Sequence, residues 1–112
     1  MTWNLFIDDD RMPTDVTWGS EAFYSVYPWT IARNKQQVVE LIEMYGFPNF
    51  VSFDHDLGTN EPTGKDIANW MINCDLDGVY RMPDSFSFYV HSKNPTGKRN
   101  IEMLLTPYLE YR

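Results

Sequence analysis

Short apolar runs that alternate with helical patterns constrain this chain most. Trp3–Ile7, Trp29–Ala32, Phe50–Phe53 and Ser85–Val90 are too short for core helices and rich in aromatic and β-branched residues. Each reads as a buried strand. Between and after them come amphipathic helices with their own start and stop signals. Asn34 stands as an N-cap with Gln37 three residues on, and Val38, Leu41, Ile42 and Tyr45 follow at helical spacing. Gly46 then suits a C-cap, and Pro48 prevents continuation. Thr63 with Asp66 makes a second capping box before the stripe Ile67, Trp70, Met71 and Cys74. That stripe reads as core, which argues against Cys74 as a nucleophile. Asn94-Pro95 opens a last helix with Ile101, Leu104, Leu105 and Tyr108 as its stripe, and Pro107 is expected to end or kink it.

Residues 12–28 follow no clean period. Trp18, Phe23, Tyr24 and Tyr27 fall there, and a short irregular helix near Glu21–Tyr27 is expected. The resulting order, β-(irregular α)-β-α-β-α-β-α, predicts an α/β three-layer sandwich: a mostly parallel four-stranded sheet with helices on both faces. A length of 112 residues suits a single domain spanning 1–112.

Composition narrows the function classes. Lys and Arg total 9 against 16 Asp and Glu, a net charge of −7, which excludes a broad nucleic-acid surface or an anionic-membrane binder. A local phosphate site remains compatible. The single cysteine cannot form an intrachain disulfide and suits a reducing compartment. The N-terminal run turns acidic too soon for a signal peptide, and no stretch approaches the ~18 apolar residues of a membrane span. A cytoplasmic protein is expected.

Three strands end in polar clusters: Asp8-Asp9-Asp10 after the first, Asp54-His55-Asp56 after the third and His91-Ser92 after the fourth. Parallel strands put those ends on one edge, where open α/β sheets bind ligands. Each cluster alone has an ordinary reading, as a solvated loop, a turn with a cap or a satisfied strand-end histidine. Their convergence is what points to a site. Asp9, Asp10, Asp54 and Asp56 are hard oxygen donors suited to Mg²⁺ or Mn²⁺. Which of Asp8, Asp9 and Asp10 faces the site depends on a one-residue register. Ser92, Asn94, Lys98 and Arg99, at a helix start, suit a phosphate. His55 and His91 could serve as acid or base beside Asp54.

At these residues the chain resembles receiver domains. Asp9-Asp10 (or Asp8-Asp9) match the acidic pair after strand one, Asp54 the phosphoacceptor, and Ser92 the hydroxyl after strand four. It departs at His55, Asp56 and Gly58, and no lysine-bearing fifth strand and helix follow the last helix. The resemblance is closer to the cyclic-phosphate processing receiver domain family. The matching motifs are Phe6-Ile7-Asp8-Asp9-Asp10-Arg11-Met12-Pro13, Ser52 to Gly58, Thr63-Gly64-Lys65-Asp66 and His91 to Asn100. The resemblance implies a short receiver-like sheet of order 2-1-3-4. It also implies metal-dependent phosphoesterase action on a cyclic phosphate, either a 2′,3′-cyclic RNA end or a cyclic nucleotide. A phage or mobile-element origin would suit a chain of this kind. The alternatives are a receiver phosphorylated on Asp54 and a non-catalytic nucleotide-binding or protein-interaction module. A haloacid-type phosphatase, suggested by Asp54-x-Asp56, ranks low because Gly58 breaks its motif.

Overall fold

The computed structural model describes residues 2–18, 24 and 28–112. Among them, four strands and three α-helices alternate: β1 (Asn4–Ile7), β2 (Thr30–Ala32), α1 (Lys35–Tyr45), β3 (Phe50–Phe53), α2 (Gly64–Asp77), β4 (Ser87–Val90) and α3 (Pro95–Tyr111). The sheet order is β2-β1-β3-β4 and every pairing is parallel. The irregular helix expected near Glu21–Tyr27 lies largely outside the described residues.

Register decides the architecture of the working edge. Ile7 pairs with Ala32 and with Phe53, and Phe53 pairs with Val90. The strand ends are therefore level. The ladder also continues one residue further: the amides of Asp8, Asp54 and His91 donate to Ala32, Ile7 and Phe53 at 3.1, 2.9 and 2.9 Å. Asp8, Arg33, Asp54 and His91 thus form one row across the sheet.

Alternation along the strands separates two faces. Leu5, Ile7, Val51, Phe53 and Val90 join a core with Val38 and Ile42 of α1, Ile67 and Met71 of α2, and Ile101 and Leu105 of α3. Phe6 and Ser52 point the other way, where the described cover is aromatic. Phe6 meets Tyr24 and Trp29 edge-on at 6.1 and 5.9 Å and stacks on His91 at 4.5 Å.

The expected N-caps form, although Gln37 Oε1 accepts from the Arg33 amide at 2.7 Å and so does not close a capping box on Asn34. Asn34 Oδ1 accepts from the Gln37 amide at 2.9 Å, and Thr63 and Asp66 cap each other reciprocally. Of the two outcomes expected at Pro107, the helix does not end there, since α3 runs through it to Tyr111. Proline removes the bond to the carbonyl at position 103, but Met103 lies on the exposed side, where water can replace it. Buried Asp75 of α2 anchors the final turn, accepting from the Tyr108 hydroxyl, from Arg112 at 3.0 Å and from the Met82 amide at 2.8 Å.

Burial would push the Asp75 carboxyl up, but these donors win and hold it below the usual carboxylate value. A depressed native pKa adds stability above the unfolded value, near 3.8, and that stability is lost as pH falls through the native value. Urea titrations should show wild-type stability dropping in acid below about pH 4, with a flatter profile for Asp75→Asn. At pH 7 that variant should be less stable by about 1–3 kcal/mol.

Candidate functional site

Two close approaches fold the loop after β3 into place. A Cβ on Gly64 would stand 2.1 Å from the Asp54 carbonyl oxygen and 3.0 Å from Ile101 Cδ1. The Gly64 amide also donates to the His55 carbonyl at 2.8 Å. On the other side a Cβ on Gly97 would stand 2.4 Å from the His55 ring. The loop is therefore pressed between the first turns of α2 and α3, and only glycine permits either contact.

Asp8 is the carboxylate the sheet buries, at 1% exposure. Its Oδ1 accepts from the amides of Asp10 and Arg11 at 2.9 and 2.8 Å, and its Oδ2 meets His91 Nε2 at 2.9 Å and Arg11 at 3.3 Å. Burial opposes ionisation of Asp8, but the His91 bond and the two amides overrule it, so its carboxyl lies well below the usual range. Arg33, in the same row, donates to the Asp8 and Arg11 carbonyls at 3.0 and 2.7 Å and fixes the loop backbone.

His91 is 1% exposed and bonded at both ring nitrogens. A carboxylate only accepts, so Nε2 donates to Asp8. In the neutral ring Nδ1 accepts from Ser52 Oγ, 2.7 Å away, and Ser52 in turn meets the Tyr24 hydroxyl. The structure places His91 behind the site as support for Asp8. Ser52 was not among the expected site residues. Its place in a strand two positions before Asp54, on the same face, is the signal that could have found it.

Asp54 is 6% exposed. Its Oδ1 accepts from the His55 amide at 2.9 Å, and its Oδ2 lies 3.9 Å from the Arg11 guanidinium. Burial and the neighbouring Asp8 charge push its carboxyl up, so the two acids differ in kind although they share a row. One ligand atom each from Asp8, Asp54 and His91 lies within 4.8 Å of the others.

In front of this row a cavity of about 270 Å³ opens. Asp8, Asp9, Asp10, Asp54 and Asp56 line it, with Arg11 and Lys93 as cations and Ser92 and Asn94 as neutral polar groups. Asn94 caps α3 by accepting from the Gly97 amide at 3.0 Å and donates to Asp56 at 3.1 Å. That bond and the His55 bond, at 3.0 Å, hold the Asp56 carboxyl low. Among the expected site residues, Asp9, Asp10, Asp54, Asp56, Ser92 and Asn94 are thus brought together. The His55 ring is packed against Gly97 and reaches the cavity through Asp56. Lys98 lies over the Tyr89 ring at 5.3 Å and Arg99 is exposed on α3, so neither lines the cavity. Arg11 and Lys93 supply the positive charge expected of Lys98 and Arg99. The α3 stripe turns those two away from the acids.

The fold and its acidic strand ends define a receiver-like domain. The chain matches the model of the Cyclic-phosphate processing Receiver domain over residues 3–107 and belongs to that family. Among solved structures it is similar to the N-terminal domain of a response regulator/sensory box/GGDEF 3-domain protein from Carboxydothermus hydrogenoformans. Identity is 17%, the TM-score is 0.51 and 98% of each chain is covered. It is also similar to a fusion carrying amino acids 181–211 of the yeast Spc42 trimeric coiled coil, at 16% identity and a TM-score of 0.56. That match covers 92% of this chain, which spans 60% of the fusion. Both likenesses concern the fold. No curated protein matches the chain. No helix among the described residues is long and apolar enough to cross a membrane.

Ser52→Ala should leave His91 Nδ1 buried without its partner. A loss of about 1–3 kcal/mol in urea unfolding is expected. Gly64→Ala should cost about 3 kcal/mol or more, because the contact it meets is backbone.

Proposed function

We propose that this domain is a metal-dependent phosphoesterase that opens a cyclic phosphate, on a 2′,3′-cyclic RNA end or a cyclic nucleotide. The observation that carries this reading is the cavity itself, where an acidic floor meets a cationic and hydroxylic rim. Its carboxylates outnumber its cations by five to two, so a phosphate would be repelled unless a divalent cation offsets them. The donor set suits Mg²⁺ or Mn²⁺: Asp8 and Asp54 would hold it, with Asp9, Asp10 and Asp56 also lining the cavity. His91 is already committed to Asp8 and Ser52 and fits the part of an orienting group for Asp8. Once bound, such a cation supplies charge neutralisation and polarisation of the phosphorus centre.

The remaining work falls to side chains. Arg11, Lys93, Ser92 and Asn94 hold the phosphate oxygens. Hydrolysis consumes one water: a bond forms from water oxygen to phosphorus, one ring ester bond breaks, and the departing alkoxide gains a proton. The proton that the water gives up is the one the departing alkoxide gains, and Asp54, lining the cavity, fits orientation of that water. His55 acts through Asp56, which it orients. The buried free Cys74 agrees with a reducing, cytoplasmic setting.

One observation favours a second reading. Asp54 after β3 and Ser92 after β4 occupy the receiver's phosphoacceptor and hydroxyl positions, so Asp54 could instead carry a phosphoryl group.

With Mn²⁺, an RNA oligonucleotide ending in a 2′,3′-cyclic phosphate or a cyclic dinucleotide should yield a phosphomonoester or linear product. Asp54→Asn should lower the rate by roughly 10²-fold or more. No product above the Asp54→Asn background would sink the enzymatic reading. A stable beryllofluoride adduct on Asp54 would favour the receiver. Tight binding with unchanged release would favour a non-catalytic nucleotide binder.

A further inference from the structure

We infer that Trp18 is the positioning residue of the cationic rim, holding Arg11 and Lys93 together so that both serve one phosphate group. This rests on the phosphate reading above and assigns a part to a residue that meets the row behind the cavity at the His91 carbonyl.

The Arg11 guanidinium carbon lies 4.8 Å from the Trp18 ring centroid, and the Lys93 ammonium lies 4.3 Å from it. The two cations come from different loops, one after β1 and one after β4. Each has a long side chain that loses rotamer freedom when fixed. Two like charges also repel when brought to one place. The negative faces of an indole offset both costs and tie both cations to one ring.

The indole is itself held. Its Nε1 donates to the His91 carbonyl at 2.8 Å, and His91 is buried, stacked on Phe6 and bonded to Ser52 and Asp8. Trp18 therefore takes its place from the row of strand ends. It carries that placement outward to the two flexible cations. Arg11 also reaches Asp8 at 3.3 Å, so the same side chain spans the acidic floor and the aromatic support. A pair of cations gathered this way fits a ligand that offers several anionic oxygens at once, as a phosphate does.

The full chain provides the test, with inorganic phosphate as the probe. In the ligand-free protein, NMR should show the Lys93 ε-methylene and Arg11 δ-methylene protons shifted upfield by the indole ring current, with both shifts lost in Trp18→Leu. By calorimetry at saturating Mg²⁺, Trp18→Leu should weaken phosphate binding by roughly three- to thirtyfold. Lys93→Met should do the same, and the double variant should be little worse than the weaker single, because one rim is being dismantled twice. Mn²⁺ affinity, read by electron paramagnetic resonance, should stay within about twofold of wild type. Trp18→Phe keeps an aromatic ring but loses the bond to His91, so it should fall between wild type and Trp18→Leu and serves if the leucine variant does not fold.

Absent ring-current shifts with intact phosphate binding would overturn this inference alone. So would a Trp18→Leu protein that binds phosphate as wild type does. Parallel losses of Mn²⁺ affinity, phosphate affinity and thermal midpoint would reduce Trp18 to a packing residue and overturn it too. A wild-type protein that shows the shifts but binds no phosphate would overturn the phosphate reading, and the inference with it.

Discussion

Asp8, Asp54 and His91 each stand one residue beyond a strand, and the parallel ladder holds those strand ends level. Everything at the site follows from that row. Neighbouring residues in register on parallel strands point to the same face, so two carboxylates and an imidazole are forced together at the edge of an apolar sheet. Such a group is costly to bury unless each charge has a partner. The structure supplies the partners unequally. Asp8 receives His91, Arg11 and two amides, while Asp54 receives one amide and a distant guanidinium. One acid is thereby locked in its charged form, and the other is left with a raised affinity for a proton or a cation.

The second constraint is closeness. The helices after β3 and β4 begin almost against the loop they must present. Gly64 and Gly97 make that possible, and Asn94 then ties α3 to Asp56. Helix starts, loop and strand row become one unit. The β1 loop is fixed to the same unit from the opposite side by Arg33 and Trp18. Packing on one sheet face and polar geometry on its edge are in this way set by the same few contacts.

Much of this was legible in the chain. Strand runs with period-two or unbroken apolar character and helices with capping boxes announce themselves locally, because each depends on residues three or four apart. Asp54, Asp56, Ser92 and Asn94 were found for the same reason: each lies next to a strand end or at a helix cap. What escaped was long-range. Ser52 stood in the family motif without a role of its own, and its bond to His91, 39 residues away, exists only in the folded chain. Lys98 and Arg99 looked like rim cations because they adjoin the helix start. The turn of α3 sets Lys98 over Tyr89 instead, while Lys93 and Arg11 reach the cavity. Pro107 read as a helix end or kink, and the helix continues past it because Asp75 holds the following turn through Tyr108 and Arg112.

By itself the sequence determined the alternation of strand and helix, the acidic strand ends and the family motifs, since these are properties of residues close in the chain. Only the tertiary structure decided the division of labour among the acids. Asp8, Asp9 and Asp10 are chemically identical, and a shift of one residue in register exchanges inside for outside. The pairing of Ile7 with Phe53 fixes that register, turns Asp8 inward to His91 and leaves Asp9 and Asp10 to the cavity.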